Sequence, residues 1–132
     1  MKIYIASKYI KHRKINRELY NKILGLGIEA FLPESIDVNA ITMKEMYHVS
    51  EICYEEINEC DIILIVCPFE HSVSSEIGFA ISKKRENNKK KLLILNIGYK
   101  HNKWKKEAMI APYIDEEFGK IHELMEYLSL QT

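Results

Sequence analysis

The chain has 132 residues, enough for one compact domain and too few for two. Apolar residues make up 47%, so a sizeable core is available, while 19 basic and 19 acidic residues cancel to a net charge near zero. That balance argues against nucleic acid or a membrane surface as partner, since both reward an excess of positive charge. No apolar stretch approaches the roughly 20 residues of a membrane-spanning helix. A strand-like pattern begins at once, with no signal-peptide pattern ahead of it. The cysteine count is odd, which suggests reduced thiols; both observations point to the cytoplasm. Cys53, Cys60 and Cys67 are spaced by seven with no CxxC pair, which reads as core cysteines rather than metal ligands. No metal and no cofactor is expected.

KIYIA (2–6) is a short apolar run that predicts a first strand. In the charged segment that follows, Ile15, Leu19, Ile23 and Leu26 recur at helical spacing, and Gly25 and Gly27 mark the helix end. IEAFL (28–32) predicts a second strand, closed by Pro33. ESIDVNAIT reads as a loop. Met46, Val49, Cys53 and Ile57 form the stripe of a second helix over 43–60. DIILIVC (61–67) is apolar without alternation, as a strand covered on both faces should be.

A third helix is predicted over 73–85, RENNKKK as a solvated turn, and LLILNI (92–97) as a fourth strand. GYKHNKWKK reads as a polar loop and MIAPY (109–113) as a short edge strand. A last helix is expected over 115–130, with Phe118, Ile121, Met125 and Leu128 inward. Strands alternating with helices predict a single α/β domain over 1–132. Its fold class is a flavodoxin/Rossmann-like open parallel sheet of four to five strands with helices on both faces. Such sheets bind ligands beyond the carboxyl ends of their strands. Those ends are Ala6-Ser7-Lys8, Leu32-Pro33-Glu34, residues 67–75 and residues 96–99.

HSVSSEIGFA (71–80) carries the chemistry. Val73, Ile77, Ala80 and Ile81 define the buried arc of the third helix, and Glu76 falls on its edge, in the expected first turn. Ser72, Ser74 and Ser75 offer hydroxyls and backbone N–H groups at a helix start, where an anion or sugar hydroxyls can bind. Two readings of Glu76 stand side by side. It either complements the positive end of the helix or is a reactive carboxylate.

Three elements in order, IYIAS, CDIILIV and then a polar loop entering SSEIGFA, resemble the nucleoside 2-deoxyribosyltransferase superfamily. The resemblance runs over roughly residues 2 to 98. It implies transfer of deoxyribose between bases, or hydrolysis of the N-glycosidic bond of nucleoside monophosphates. By the same resemblance Glu76 matches the nucleophile and Tyr4 the tyrosine that orients it. Glu70 matches a position that contacts the sugar in the transferases, and it is the candidate for protonating or positioning the leaving base. Ser7 and Ser72 lie in or beside loops that hold the 5′ end of the substrate. A homo-oligomer is expected, because family members complete each site with neighbouring subunits.

Ser72 and Ser74 stand where the family often has glycine, and Cys53 where the transferases carry an aspartate that acts on the base. The PGGxGT element of the related cytokinin-releasing phosphoribohydrolases is absent.

The chemistry fits the residue types. Breaking the glycosidic bond develops positive charge at C1′, which a carboxylate on the face opposite the base can stabilise or trap covalently. Each candidate also has a plainer reading. Tyr4 suits a strand aromatic packed in the core, and Glu70 and His71 suit solvated loop positions. Lys8, Lys11, His12 and Arg13 suit either a phosphate site or the solvated start of an amphipathic helix. Trp104 suits stacking on a base or packing at a subunit contact. The alternative to an enzyme is a non-catalytic nucleotide-binding or signalling module of the same fold, motivated by Ser72, Ser74 and Cys53.

Overall fold

The computed structural model describes residues 1–8, 10–36, 42–69, 71–97 and 103–132. Five parallel strands form one sheet: β1 (Lys2–Ala6), β2 (Glu29–Phe31), β3 (Ile62–Cys67), β4 (Lys91–Asn96) and β5 (Glu116–Phe118). Their order is β2-β1-β3-β4-β5. Four helices accompany them: α1 (Arg13–Gly25), α2 (Met43–Glu59), α3 (His71–Glu86) and α4 (Ile121–Ser129). This is the open α/β sheet that the alternation of elements predicts.

Side-chain alternation along each strand builds two cores. Ile3, Ile5, Ile62, Leu64, Val66, Leu93 and Leu95 meet Leu19 and Ile23 of α1 and Leu124 and Leu128 of α4. Tyr4, Ala6, Ile63, Ile65, Cys67, Leu92 and Ile94 meet Cys53 and Ile57 of α2 and Val73, Ile77 and Ala80 of α3. All six residues of β3 are buried, as their unbroken apolar run requires. The three cysteines are free and buried. No helix among the described residues is long and apolar enough to cross a membrane.

The helix ends follow local chemistry. Gly27 takes φ +78, the left-handed conformation that glycine adopts most easily, and its N–H donates to Leu24 O at 2.9 Å. Thr42 and Glu45 form a reciprocal capping box at the start of α2, a T-x-x-E pattern.

Four expectations need correction. MIAPY is not a strand: Ala111–Tyr113 is a 3-10 turn containing Pro112, which has no N–H to give to a ladder. The edge strand is Glu116–Phe118, paired with Leu93–Leu95, so the last helix starts at Ile121 rather than 115. Phe118 mimicked a helical position because β5 delivers it to the same core as α4, where its ring lies 5.2 Å from that of Tyr127. The third helix begins at His71, two residues earlier than the pattern suggested.

Lys90, within the expected solvated turn, is the fourth. It is 6% exposed. Its ammonium donates to Ile57 O at 2.8 Å, Asn58 O at 3.3 Å and Cys60 O. It thereby satisfies carbonyls at the end of α2 that no intrahelical N–H reaches. Burial lowers its pKa. Lys90→Met keeps the aliphatic stem and orphans those carbonyls. Denaturant unfolding should show a loss of about 1–3 kcal/mol; an unchanged midpoint would make this cap energetically irrelevant.

Candidate active site

The chain runs from β1 out to β2 on one side and then crosses back to β3 on the other. The connections therefore diverge between β1 and β3, leaving a crevice at the carboxyl ends of those strands. Two cavities of about 520 and 440 Å³ lie beside it. Both are lined by Val49, Cys53, Ser72 and Glu76, so they are lobes of one cleft that meet at Glu76. The larger lobe adds Ser7, Lys8, Asn16, Leu32, Pro33 and Glu34; the smaller adds Met46, Ser50, Tyr54 and Ser75. Either volume suits a small organic ligand.

Three elements bring the central groups together. The pleat of β1 turns Tyr4 toward α2 and α3, where it is fully buried and its ring stacks on Phe31 at 5.4 Å. α2 presents Cys53 and α3 presents Glu76. Because α3 begins at His71, Glu76 is its sixth residue, in the second turn and beyond the first turn where the dipole of a helix end is strongest. That weakens the reading of Glu76 as a simple complement to the helix start.

Burial dominates the electrostatics of all three groups. Burial pushes the Glu76 carboxyl up from 4.5 to about 7, with the Tyr4 hydroxyl working the other way by favouring the carboxylate. Burial first, then the charge of Glu76, raises the Tyr4 phenol, which therefore stays protonated. Burial likewise raises the Cys53 thiol and keeps it neutral. Tyr4 is close enough to Glu76 to affect its titration, yet neither its hydroxyl nor Glu76 Oε2 completes a hydrogen bond of ordinary geometry, although both atoms are buried. Buried oxygens in that condition carry a desolvation cost that a bound ligand can relieve.

The remaining candidates distribute as follows. Ser72, Ser75 and Glu76 share one face of α3 at spacings of three and four and line the cleft. Ser74 lines neither of these two lobes, and His71 is exposed and also lines neither. Ser7 lies in the larger lobe with its hydroxyl 3.2 Å from His12 Nδ1. Lys8 and Lys11 line the same lobe, whereas Arg13 reaches Glu34 Oε1 at 3.3 Å. Glu70 lies outside the described residues. Trp104 packs against the α2/α3 core and lines neither lobe. Among the described residues no group of three or more His, Cys, Asp or Glu is placed to hold a metal ion.

Two cleft residues escaped the sequence reading. Asn16 is 1% exposed, on the same face of α1 as Leu19 and Ile23. A polar residue three positions before Leu19 on that apolar stripe was the available signal. Glu34 was visible only as a residue after a strand end.

No protein-family model matches the chain, and no curated protein matches it in sequence. Solved structures do. A 2-deoxyribosyltransferase of the psychrotolerant bacterium Bacillus psychrosaccharolyticus superposes with TM-score 0.77 at 18% identity, over 96% of this chain and 92% of that one. A conserved protein of Enterococcus faecalis V583 gives 0.71 at 18% identity over 100% and 99%. The CMP N-glycosidase BcmB of Clostridium botulinum gives 0.65 at 16% identity over 97% and 98%. The chain therefore shares the fold of these structures, among them a 2-deoxyribosyltransferase and a CMP N-glycosidase.

Proposed function

We propose that this protein cleaves or transfers the N-glycosidic bond of a nucleoside or nucleoside 5′-monophosphate, with Glu76 as nucleophile. The observation that carries the reading is a carboxylate with a buried, unpartnered oxygen and a pKa raised to about 7. It stands on the wall of a cleft large enough for a nucleoside. The deoxyribosyltransferase and the CMP N-glycosidase that share the fold support it.

In this mechanism a Glu76 oxygen attacks C1′ from the face opposite the base while the C1′–N bond breaks. The bonding pair leaves with the base nitrogen, which takes a proton from Glu70 or from solvent. The resulting glycosyl ester on Glu76 is opened at C1′ by water, giving hydrolysis, or by a second base, giving transfer; the carboxylate is regenerated in both. Tyr4 lines neither lobe and acts as a positioning residue. Its buried phenol favours the charged form of Glu76. Ser72 and Ser75 bind sugar hydroxyls, and Ser7 and Lys8 bind the far end of the ligand. The protein works as a cytoplasmic homo-oligomer. Cys53 supplies a neutral thiol in place of a carboxylate, so contacts to the base come from elsewhere in the cleft.

The decisive assay incubates the protein with ribo- and deoxyribonucleosides and their 5′-monophosphates, with and without a second free base, and follows the bases chromatographically. Glu76→Ala should reduce release or exchange at least about a thousandfold. Activity that survives this change sinks the mechanism, and saturable binding without turnover in the unmodified chain favours the binding-module reading.

The pH dependence has a definite sign. Nucleophilic attack needs the carboxylate, so kcat/KM should rise with pH through an apparent pKa near 7. Tyr4 lowers that pKa, so Tyr4→Phe should move the rising limb to higher pH and lower the plateau roughly tenfold. A limb unmoved by Tyr4→Phe would remove Tyr4 from the mechanism.

Stability follows from the same linkage. Below about pH 4.5 the carboxyl is protonated in both folded and unfolded chains. Between 4.5 and about 7 the unfolded chain has lost a proton that the folded one keeps, so stability falls as pH rises through that window. The penalty at high pH is at most about 3 kcal/mol. Glu76→Gln should therefore be the more stable protein at pH 8–9, with the gap closing near pH 4. Parallel melting curves for the two proteins across this range would contradict a buried carboxylate.

A further inference from the structure

We propose that Cys53 is a positioning residue: its thiol donates to the Tyr4 oxygen and so commits the Tyr4 hydroxyl to Glu76. This rests on the reading of Glu76 as nucleophile and adds a third member to the Tyr4–Glu76 pair.

The Tyr4 side chain is fully enclosed, and its hydroxyl has no hydrogen bond of ordinary geometry. Two polar side chains are placed to hydrogen-bond with it, the carboxyl of Glu76 from α3 and the thiol of Cys53 from α2. Cys53 and Glu76 both line both lobes of the cleft, whereas Tyr4 lines neither. The phenol thus lies behind the cleft wall, in reach of two groups that form it. Cys53 itself is 9% exposed and packs in the same core as Tyr4.

Protonation states decide the direction of the contacts. Burial keeps both the phenol and the thiol protonated, so each has one proton to give. The hydroxyl can point at only one acceptor. A carboxylate is a much stronger acceptor than a neutral sulfur, so the hydroxyl donates to charged Glu76. The lone pairs of the phenol oxygen are then left for the S–H of Cys53. The other carboxylate that acts on the thiol, Glu56, is paired with Lys2. A hydroxyl that accepts a hydrogen bond donates more strongly. The chain from S–H to O–H to carboxylate therefore favours the charged form of Glu76, the form that attacks C1′. The other charged side chains on the cleft wall, Lys8, Lys11 and Glu34, belong to the larger lobe. Glu76 answers chiefly to burial and to Tyr4.

The test titrates Glu76 directly. Its side-chain carboxyl is followed by carbon-13 NMR in the ligand-free chain, the signal being assigned by its loss in Glu76→Gln. Cys53→Val keeps the wall filled and removes the donor. It should raise the Glu76 pKa by about half a pH unit, roughly a threefold change in the acid constant. Cys53→Ser keeps a donor and should leave the pKa close to that of the unmodified chain. In a Tyr4→Phe background Cys53→Val should no longer move it, because the thiol acts through the phenol. Melting curves check that each variant folds, and Cys53→Ala replaces Cys53→Val if the latter does not. The rising limb of kcat/KM against pH should shift in parallel.

A pKa unmoved by Cys53→Val overturns the positioning role. So does a shift that persists in Tyr4→Phe or appears equally in Cys53→Ser. If turnover still needs Glu76 while the titration stays unmoved, the thiol's role falls alone and the glycosidic reaction stands. A titration that shifts as expected in a chain that turns over no nucleoside keeps the hydrogen-bond chain and overturns the nucleophile.

Discussion

Each strand of a parallel sheet reaches its neighbour through a crossover that returns along one face, so both faces must be covered for the backbone and the apolar side chains to leave water. In this chain that requirement falls hardest on β3, whose six residues are all buried. α1 and α4 cover one side, α2 and α3 the other. The same wiring leaves a gap. Crossovers leave β1 and β3 in opposite directions, which opens a crevice at their carboxyl ends. The cleft is thus a by-product of covering the sheet.

What surrounds the cleft is costly in folding terms. Tyr4 OH, Glu76 Oε2, Asn16 Oδ1 and Glu34 Oε2 are all buried without a hydrogen bond. A core designed for stability alone would pair or remove them. Burial raises Glu76 toward neutrality, and the Tyr4 phenol partly restores its charge. The opposed effects leave a carboxyl that can change protonation state near neutral pH. The cost to stability and the capacity for chemistry come from one act of burial.

The corrections share a physical origin. Phe118 sits at helical spacing from Ile121 and Met125, but its place in β5 follows from pairing with Leu93–Leu95, a contact across more than twenty positions of chain. Lys90 belongs to a run of charge that looks solvated, yet the end of α2, thirty residues earlier, needs donors. In each case a local pattern met a distant partner, and the partner decided.

By itself the sequence determined the class of fold, because apolar runs without alternation separated by amphipathic stripes admit few arrangements other than a covered parallel sheet. It also singled out Glu76 and Tyr4 through motif order, and it marked Cys53 as a departure. Only the tertiary structure decided that Tyr4, Cys53 and Glu76 meet at one point, and that Asn16 and Glu34 face the same lobe. Burial decides the electrostatics. The desolvation that lifts Glu76 and holds Tyr4 neutral comes from the layers packed around them, and no window of the chain contains that environment.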